Sequence, residues 1–572
     1  MKKKLISLLL SLMVILSFSM SSVYADTNQQ GKIIYISLNR TSLENLLEIP
    51  IIQKKTSDSG YVALMTTRGD GSNSDQKSFA SIGAGVRANV LDQDYTIFES
   101  LDKDGKEQFK AVTGATPWAI NNLRINRDLN QNSDYGSYGA TLGTLGTTLN
   151  ENGLKVALLG NSDIIKNGEL KKIRNLALTC MDKYGRVKSG NVDDINKNDN
   201  TMPYGISTDY EKLKKETKKY YENSDITFVE LGDTYRLDQY KGFLNEHTYS
   251  KMKKTIHNNI SKYLESVFNM VGDNDVVYIA SSFPSKLAYK NKERLSPIIK
   301  FKGNEKGLLS SSTTRRDGIV ANIDVGVDIL NEFGLENKSM VGRAYSLIQK
   351  DDNVDFLSYE LEKMATISNI RSTVVNTFVG VVSVSWVIGM VAILFRNRIP
   401  NKDKVFNVIK EFIKLGIIMP LVFLLAPIFN FKTPVSMTIG IIITTLALYL
   451  LGRVLFKDDL KRWTEKLNVI VTVDKETEGY DGFVGLVTKY IPDLKIEDVD
   501  NFSCAVVGPP MMMKFTVGEF LKRNVAEENI WVSYERKMCC GLGKCGHCKM
   551  DESYICLDGP VYDYSKAKTL ID

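Results

Sequence analysis

The stretch Ile33-Ile34-Tyr35-Ile36-Ser37-Leu38 is a run of β-branched and aromatic residues without a charge, the pattern of a buried strand. It returns at Lys155–Leu159, which ends at Gly160, at Ile226–Leu231 and at Val276–Ser281. Helical stretches stand between these runs, among them Asp209–Asn223 and Thr248–Val271. Strands alternating with helices predict an α/β domain with a mainly parallel sheet covered on both faces, over residues 26–370. Glycine-rich turns fall at strand ends, at Gly69-Asp70-Gly71, Gly83-Ala84-Gly85 and Gly143-Thr144-Leu145-Gly146.

That domain is one part of a mosaic. With 572 residues the chain is too long for one small fold, and 43% hydrophobic with 24% charged residues excludes wholesale disorder. The formal net charge is +6, and no Lys/Arg block interleaved with aromatics stands out, so no nucleic-acid partner is expected. Of seven cysteines only Cys180 precedes residue 500; the others are Cys504, Cys539, Cys540, Cys545, Cys548 and Cys556. A secreted disulfide scaffold would spread them through the exported part.

Residues 1–25 read as a signal peptide: Lys2, Lys3 and Lys4, an apolar run from Leu5 to Phe18, then Val23 and Ala25 before the cut. Three transmembrane helices are predicted at 373–395, 415–431 and 433–452. The second carries Pro420 and Pro427, and the second and third form a hairpin. Arg396, Arg398, Lys402, Lys404, Lys410 and Lys414 lie between the first two spans, and Arg453, Lys457, Lys461 and Arg462 follow the third; Lys432 alone marks the short link. Positive residues stay in the cytosol. The expected location is therefore a bacterial-type plasma membrane, with residues 26–370 extracytoplasmic and the C-terminal tail cytoplasmic. An export signal followed by three spans has the same parity.

The exported part loosely resembles the alkaline phosphatase and sulfatase superfamily. The likeness rests on the opening strand, on Ser81-Ile82-Gly83-Ala84-Gly85-Val86-Arg87-Ala88, on Leu142–Asp163, and on Ser311-Ser312-Thr313-Thr314-Arg315-Arg316 running into Val320-Ala321-Asn322-Ile323-Asp324 and Val327–Leu330. The superfamily's hydrolases hold divalent metals with Asp and His. Here the exported segment has only His247 and His257, and Ser37, Leu38 and Asn39 stand where an early Asp is usual. Asp233, Asp275 and Asp324 are the carboxylates from which a metal site could be built, or they cap strands and turns. The expectation is the fold without its usual chemistry, a sensing or scaffolding ectodomain.

The tail carries the chemistry. Cys540-Gly-Leu-Gly-Lys-Cys545-Gly-His-Cys548 and Cys556 give the spacing C-x4-C-x2-C-x7-C. Four thiolates are what a [2Fe–2S] cluster needs, and Gly541, Gly543 and Gly546 let the backbone fold tightly around it. Zinc sites usually show two C-x2-C pairs instead. Cys540 is taken as the first ligand rather than Cys539 because the glycine loop begins after it, and His547 is assigned a supporting or solvent role. Upstream, Ala505-Val506-Val507-Gly508-Pro509-Pro510-Met511 reads as a strand and turn, followed by a helix over Met512–Asn524.

These stretches, with Val469–Asp474, Gly482–Thr488, Glu535–Met538 and Cys556–Val561, closely resemble the C-terminal third of the NAD(P)H-oxidising subunit of anaerobic sulfite reductase and of the electron-transfer subunit of dihydroorotate dehydrogenase. The resemblance implies a partial NAD(P)-binding, ferredoxin-reductase-like domain at 467–537 and a [2Fe–2S] segment at 538–572. Its cluster ligands would be Cys540, Cys545, Cys548 and Cys556; Gly508, Pro509, Pro510 and Met511 would approach a nicotinamide cofactor, and a redox partner subunit would take the electrons. Family members pass electrons from NAD(P)H through FAD, but their flavin domain and the first half of the nucleotide domain are replaced here by membrane spans. Val507 stands where the family usually has Cys. Arg343-Ala344-Tyr345-Ser346 spells the family's flavin motif, yet in a helix-like exported stretch, where it is coincidence. The break near 457–467 reads as a join between two unrelated reading frames. Two functions follow: a membrane-tethered iron–sulfur electron carrier, or an anchored exported scaffold, sensor or degenerate phosphatase-like protein whose tail is accessory.

Overall fold

The computed structural model describes residues 31–91, 97–395, 398, 400, 402–425, 434–455, 467–476, 482–538, 541, 547–551 and 553–570. The signal-peptide segment 1–25 and most of the 457–467 break lie outside them. The chain forms two compact units, Met1–Ile442 and Ile443–Asp572.

The first unit is built on a ten-stranded sheet: β1 (Ile33–Ser37), β2 (Gly60–Met65), β3 (Val156–Asn161), β4 (Ser189–Asn191), β5 (Ile226–Leu231), β6 (Val276–Ala280), β7 (Ser296–Phe301), β8 (Lys306–Ser310), β9 (Ile319–Val320) and β10 (Ser346–Gln349). The spatial order is β10-β8-β2-β7-β6-β1-β5-β3-β4, with β9 beside β2. β1 pairs in parallel with both β5 and β6, β5 with β3, and β3 with β4. The predicted parallel sheet is thus present, and all four predicted strands lie in it. Two strands depart from it: β7 runs antiparallel between β6 and β2, and β10 runs antiparallel to β8.

All five residues of β1 are buried. Ile33 and Tyr35 enter the core on one face of the sheet, and Ile34 and Ile36 enter the core on the other. β7 holds a charge inside the sheet. Lys300 is buried, and its Nζ donates to Asp328 at 2.6 Å and to Glu332 at 2.7 Å, so the sheet is tied to the helix Asn322–Glu332. The helices Tyr210–Asn223, capped by Asp209, and Glu246–Phe268 match the predicted stretches within a few residues. Arg343–Ser346 is not helical as expected: Ser346 opens β10, and the Arg343 amide donates to Asp324 at 2.9 Å.

Close packing explains two glycines of the Ser81–Ala88 stretch. The helix Asp75–Ala84 ends at Gly85, whose φ of 62° lies in the left-handed region. A Cβ on Gly83 would meet the carbonyl oxygens of Thr179 and Leu178 at 2.5 and 2.7 Å, so this helix sits directly on backbone.

Of the three predicted spans, one lies in a helix long and apolar enough to cross a membrane among the described residues, Val435–Gly452. It belongs to the helix Pro434–Leu455, within which the boundary between the two units falls. The other two predicted spans are not confirmed. Residues 373–394 continue the helix Asn353–Leu394, in which Phe378–Leu394 is the apolar part; the second occupies the end of Lys402–Leu425, with Pro420 inside it, and runs into residues outside the described set.

The second unit has a three-stranded sheet of β11 (Cys504–Val506), β12 (Ile530–Ser533) and, after the hairpin of β13 (Lys549–Met550) and β14 (Ser553–Tyr554), β15 (Val561–Asp563). β11 and β12 are parallel and are connected through the helix Pro510–Lys522, two residues earlier at each end than the predicted one. Val506, Ile530, Val532 and Tyr562 pack with Met513, Val517 and Phe520 of that helix.

Gly83→Ala is expected to lower stability by about 1–3 kcal/mol through overpacking, read as a drop in thermal unfolding temperature of the detergent-solubilised chain.

Candidate functional site

Open α/β sheets bind ligands at the C-terminal ends of their parallel strands. In the first unit that edge is occupied by an internal ion pair. Arg40, three residues past β1, is held at φ 65° and lies 4.7 Å over the Phe283 ring. Its guanidinium forms a two-pronged pair with Asp75, with Nε donating to Oδ1 at 2.9 Å. The Asn39 amide donates to the same oxygen at 2.7 Å. Asp238 faces this group, and burial pushes its carboxyl up to about 6 against the lowering effect of the Lys286 amide and Arg40.

The three carboxylates from which a metal site could be built are also engaged. Asp324 accepts from Ser311, Thr313, and the amides of Ala321 and Arg343 at 2.6–2.9 Å. Asp233 accepts from Arg236, Tyr210 and the Thr208 amide. Asp275 accepts from Tyr221 and the amides of Lys32 and Gly272. His257 is buried, which with Lys253 nearby drives its pKa down to about 4, and Glu48 is its acidic neighbour at 3.7 Å. Donor hydrogens therefore point at the oxygens a divalent cation would need. These residues do not fit a metal of the phosphatase type. Asp233 and Asp324 lie in the first turns of the helices Asp233–Tyr240 and Asn322–Glu332, and Asp275 closes the turn before β6.

Glu230, at the end of β5, is fully buried, and burial raises its carboxyl to about 7 although Ser162 donates to it at 2.5 Å. Cys180 is buried too, and desolvation pushes its thiol far up, which makes it inert.

In the second unit the hairpin β13–β14 sets the candidate ligands. Its register, Lys549↔Tyr554 and Met550↔Ser553, places Cys548 at one foot of the hairpin and Ile555, the residue before Cys556, at the other. The Ile555 amide donates to the Cys548 carbonyl at 3.2 Å. Cys548 is 1% exposed, Cys556 is half-buried, and neither forms a disulfide. Two thiols outside any disulfide, one just before a short hairpin and one in the helical turn Ile555–Asp558 just after it, fit half of an iron–sulfur ligand set. Cys540 and Cys545 lie outside the described residues. Gly541, at φ 67°, lies in the left-handed region that glycine favours, and His547 is exposed.

Gly508, Pro509 and Pro510 line a cavity of about 790 Å³ at the C-terminal end of β11. Met511 projects from the first turn of the helix, is 60% exposed, and does not line it. The sequence reading did not single out the cavity's cations Lys514, Arg536 and Lys568, or Tyr534 and Tyr564. Lys514 lies on the helix that Pro510 opens, Tyr534 and Arg536 just after β12, and Tyr564 and Lys568 just after β15. Cys504 is half-buried on β11, and desolvation raises its thiol to about 11.

The family model described as the iron-sulfur cluster binding domain of dihydroorotate dehydrogenase B matches residues 535–568. The sulfhydrogenase 2 subunit gamma of Pyrococcus furiosus is 37% identical over 129 residues, covering 19% of this chain and 44% of that protein. A dihydroorotate dehydrogenase B (NAD(+)) electron transfer subunit of Clostridium perfringens is 34% identical over 113 residues, 19% of this chain and 43% of that one. The chain thus spans less than half the length of these relatives. Solved structures similar to the chain include an alkaline phosphatase superfamily protein from Vibrio parahaemolyticus, with TM-score 0.35 and 10% identity over 55% of this chain and 69% of the other. Another is the 2-O GAG sulfatase BT1596, with TM-score 0.33 and 10% identity over 55% and 73%.

Two outcomes are expected in the first unit. Arg40→Ala leaves Asp75 buried without its counter-ion and should cost about 3–5 kcal/mol, with Arg40→Lys costing less, both read by denaturant titration. Glu230 has a folded-state pKa above its unfolded one, so its contribution is complete below about pH 4.5 and is lost as pH rises through about 7. Glu230→Gln should flatten that fall, measured as unfolding midpoints across pH 4–8.

Proposed function

We propose that the chain is a membrane-tethered iron–sulfur electron-transfer protein, with an exported α/β body and a cytosolic redox tail. The hairpin that brings Cys548 beside the segment of Cys556, inside the stretch matched by the iron–sulfur family model, carries this reading. Cys540, Cys545, Cys548 and Cys556 would hold a [2Fe–2S] cluster, which supplies one-electron carriage when bound. The hairpin would fix two ligands, burial of Cys548 would keep water from its sulfur, and the glycine loop would let the first two ligands close around the metals. The cavity behind Gly508–Pro510 has the size and the cationic rim for a phosphate-bearing nicotinamide cofactor.

Tethering is supported by apolar side chains left open to the surroundings along the long helices. Trp386 is 69% exposed, Ile417 71% and Leu424 75%, as lipid-facing residues would be. The basic residues between the first and second apolar segments set the orientation proposed. A second reading, an anchored exported scaffold without catalytic metal, is favoured by one observation: the three candidate carboxylates of the first unit are all engaged by protein donors.

Anaerobically purified protein is expected to be brown, with iron and acid-labile sulfide near two per chain and visible absorbance bleached by dithionite. Cys548→Ser and Cys556→Ser should each lose most of the iron. Iron content unchanged by both would overturn the redox reading and leave the scaffold.

A further inference from the structure

The first unit also holds a cleft of about 910 Å³, the size of a small-molecule site. Its walls come from the chain after β1 between Glu44 and Gln53, from the helix Glu246–Phe268, and from Ser358 of the helix Asn353–Leu394. Glu246, Ser250, Lys253 and His257 are spaced by alternate fours and threes, so they form one stripe of their helix, and that stripe lines the cleft.

His257 is the group that the protein leaves unanswered. It is 7% exposed, its ring makes no hydrogen bond among the described residues, and its Nδ1 stands 3.7 Å from Glu48, beyond hydrogen-bond reach. Burial and the nearby Lys253 keep the ring neutral at pH 7, so it offers one N–H and one lone pair. A buried polar group without a partner is costly, and the cleft is the side from which a partner can reach it.

The charges narrow what that partner is. Lys253 and Glu48 neutralise each other at 2.6 Å. Glu44 and Glu246, on different helices, form no ion pair among the described residues, and Lys254 alone of the lining cations is left to oppose them. An anion is disfavoured in such a cleft, and an ammonium group is favoured. Gln53, Asn258, Ser250 and Ser358 add groups that both give and accept hydrogen bonds, and Leu47 and Pro50 add apolar surface. One ammonium, several hydroxyls and a C–H face together describe an amino sugar.

We infer that this cleft is a binding site for an amino sugar, its ammonium taken by the unpaired carboxylates and one hydroxyl by the His257 ring. The inference rests on the second reading, an anchored exported body, for its purpose; binding itself needs neither membrane nor cluster. Because Ser358 belongs to the wall, an occupant touches the helix that runs on into the apolar stretch Phe378–Leu394.

The test is isothermal titration of the detergent-solubilised full chain with D-glucosamine, N-acetyl-D-glucosamine and D-glucuronate. Glucosamine should bind at one to one. The N-acetyl form, which keeps the ring hydroxyls and loses the charge, should bind about fivefold more weakly, and glucuronate about tenfold more weakly. Glu44→Gln with Glu246→Gln, both at exposed positions, should erase the preference for glucosamine over its N-acetyl form. His257→Phe should weaken both by about tenfold. If that variant does not fold, Ser250→Trp, which fills the cleft from an exposed position, takes its place and should block binding. Folded wild-type protein that does not bind glucosamine overturns the inference. So does glucuronate binding as tightly as glucosamine, or binding that no variant alters. Protease added outside spheroplasts of an expressing bacterium tests the second reading separately: a protected first unit removes the exported body, while glucosamine binding in detergent still supports the site.

Discussion

Parallel strands must be covered on both faces, and the first unit satisfies this at β1. Five residues, Ile33 to Ser37, hydrogen-bond in parallel to β5 on one edge and β6 on the other. Alternate side chains supply two separate cores, Ile33 and Tyr35 on one side, Ile34 and Ile36 on the other. Burial on both faces is why the segment reads as an unbroken apolar run rather than an alternating one. It also fixes where the strand ends lie, and the polar residues just past those ends have to be neutralised by one another. Arg40 with Asp75, Arg236 with Asp233, and the four donors around Asp324 are that neutralisation.

A crevice built this way is costly to open. Each carboxylate is surrounded by donors, so a cation would first have to break a set of charge-assisted hydrogen bonds in a desolvated place. The first unit is therefore physically suited to holding a shape. The proposed redox chemistry lies elsewhere in the chain, where Cys548 sits in the tail's core at the foot of a short hairpin and Cys556 in the helical turn Ile555–Asp558 that follows it. That difference is consistent with a match as short as residues 535–568.

Much of this was legible in the amino-acid order. The four apolar runs became neighbouring strands, and the helices beginning at Tyr210 and Glu246 lie where periodicity placed them. β7 was not legible. Pro297 and Lys300 interrupt its apolar pattern, and Lys300 is tolerated inside the sheet only because Asp328 and Glu332, about thirty residues on, fold back onto it. Gly508, Pro509 and Pro510 were legible as a turn, whereas Lys514, Arg536 and Lys568 meet around the same cavity through separate elements.

The linear sequence by itself determined the strand and helix types, the apolar stretches and the cysteine spacing, because these depend on residue period and on local bonding. Only the tertiary structure decided that Asp233, Asp275 and Asp324 point into protein donors and that one antiparallel strand sits within the parallel set. Each of these is a pairing between residues far apart in the chain, and no local pattern records which distant group will arrive to satisfy a buried charge or flank a strand.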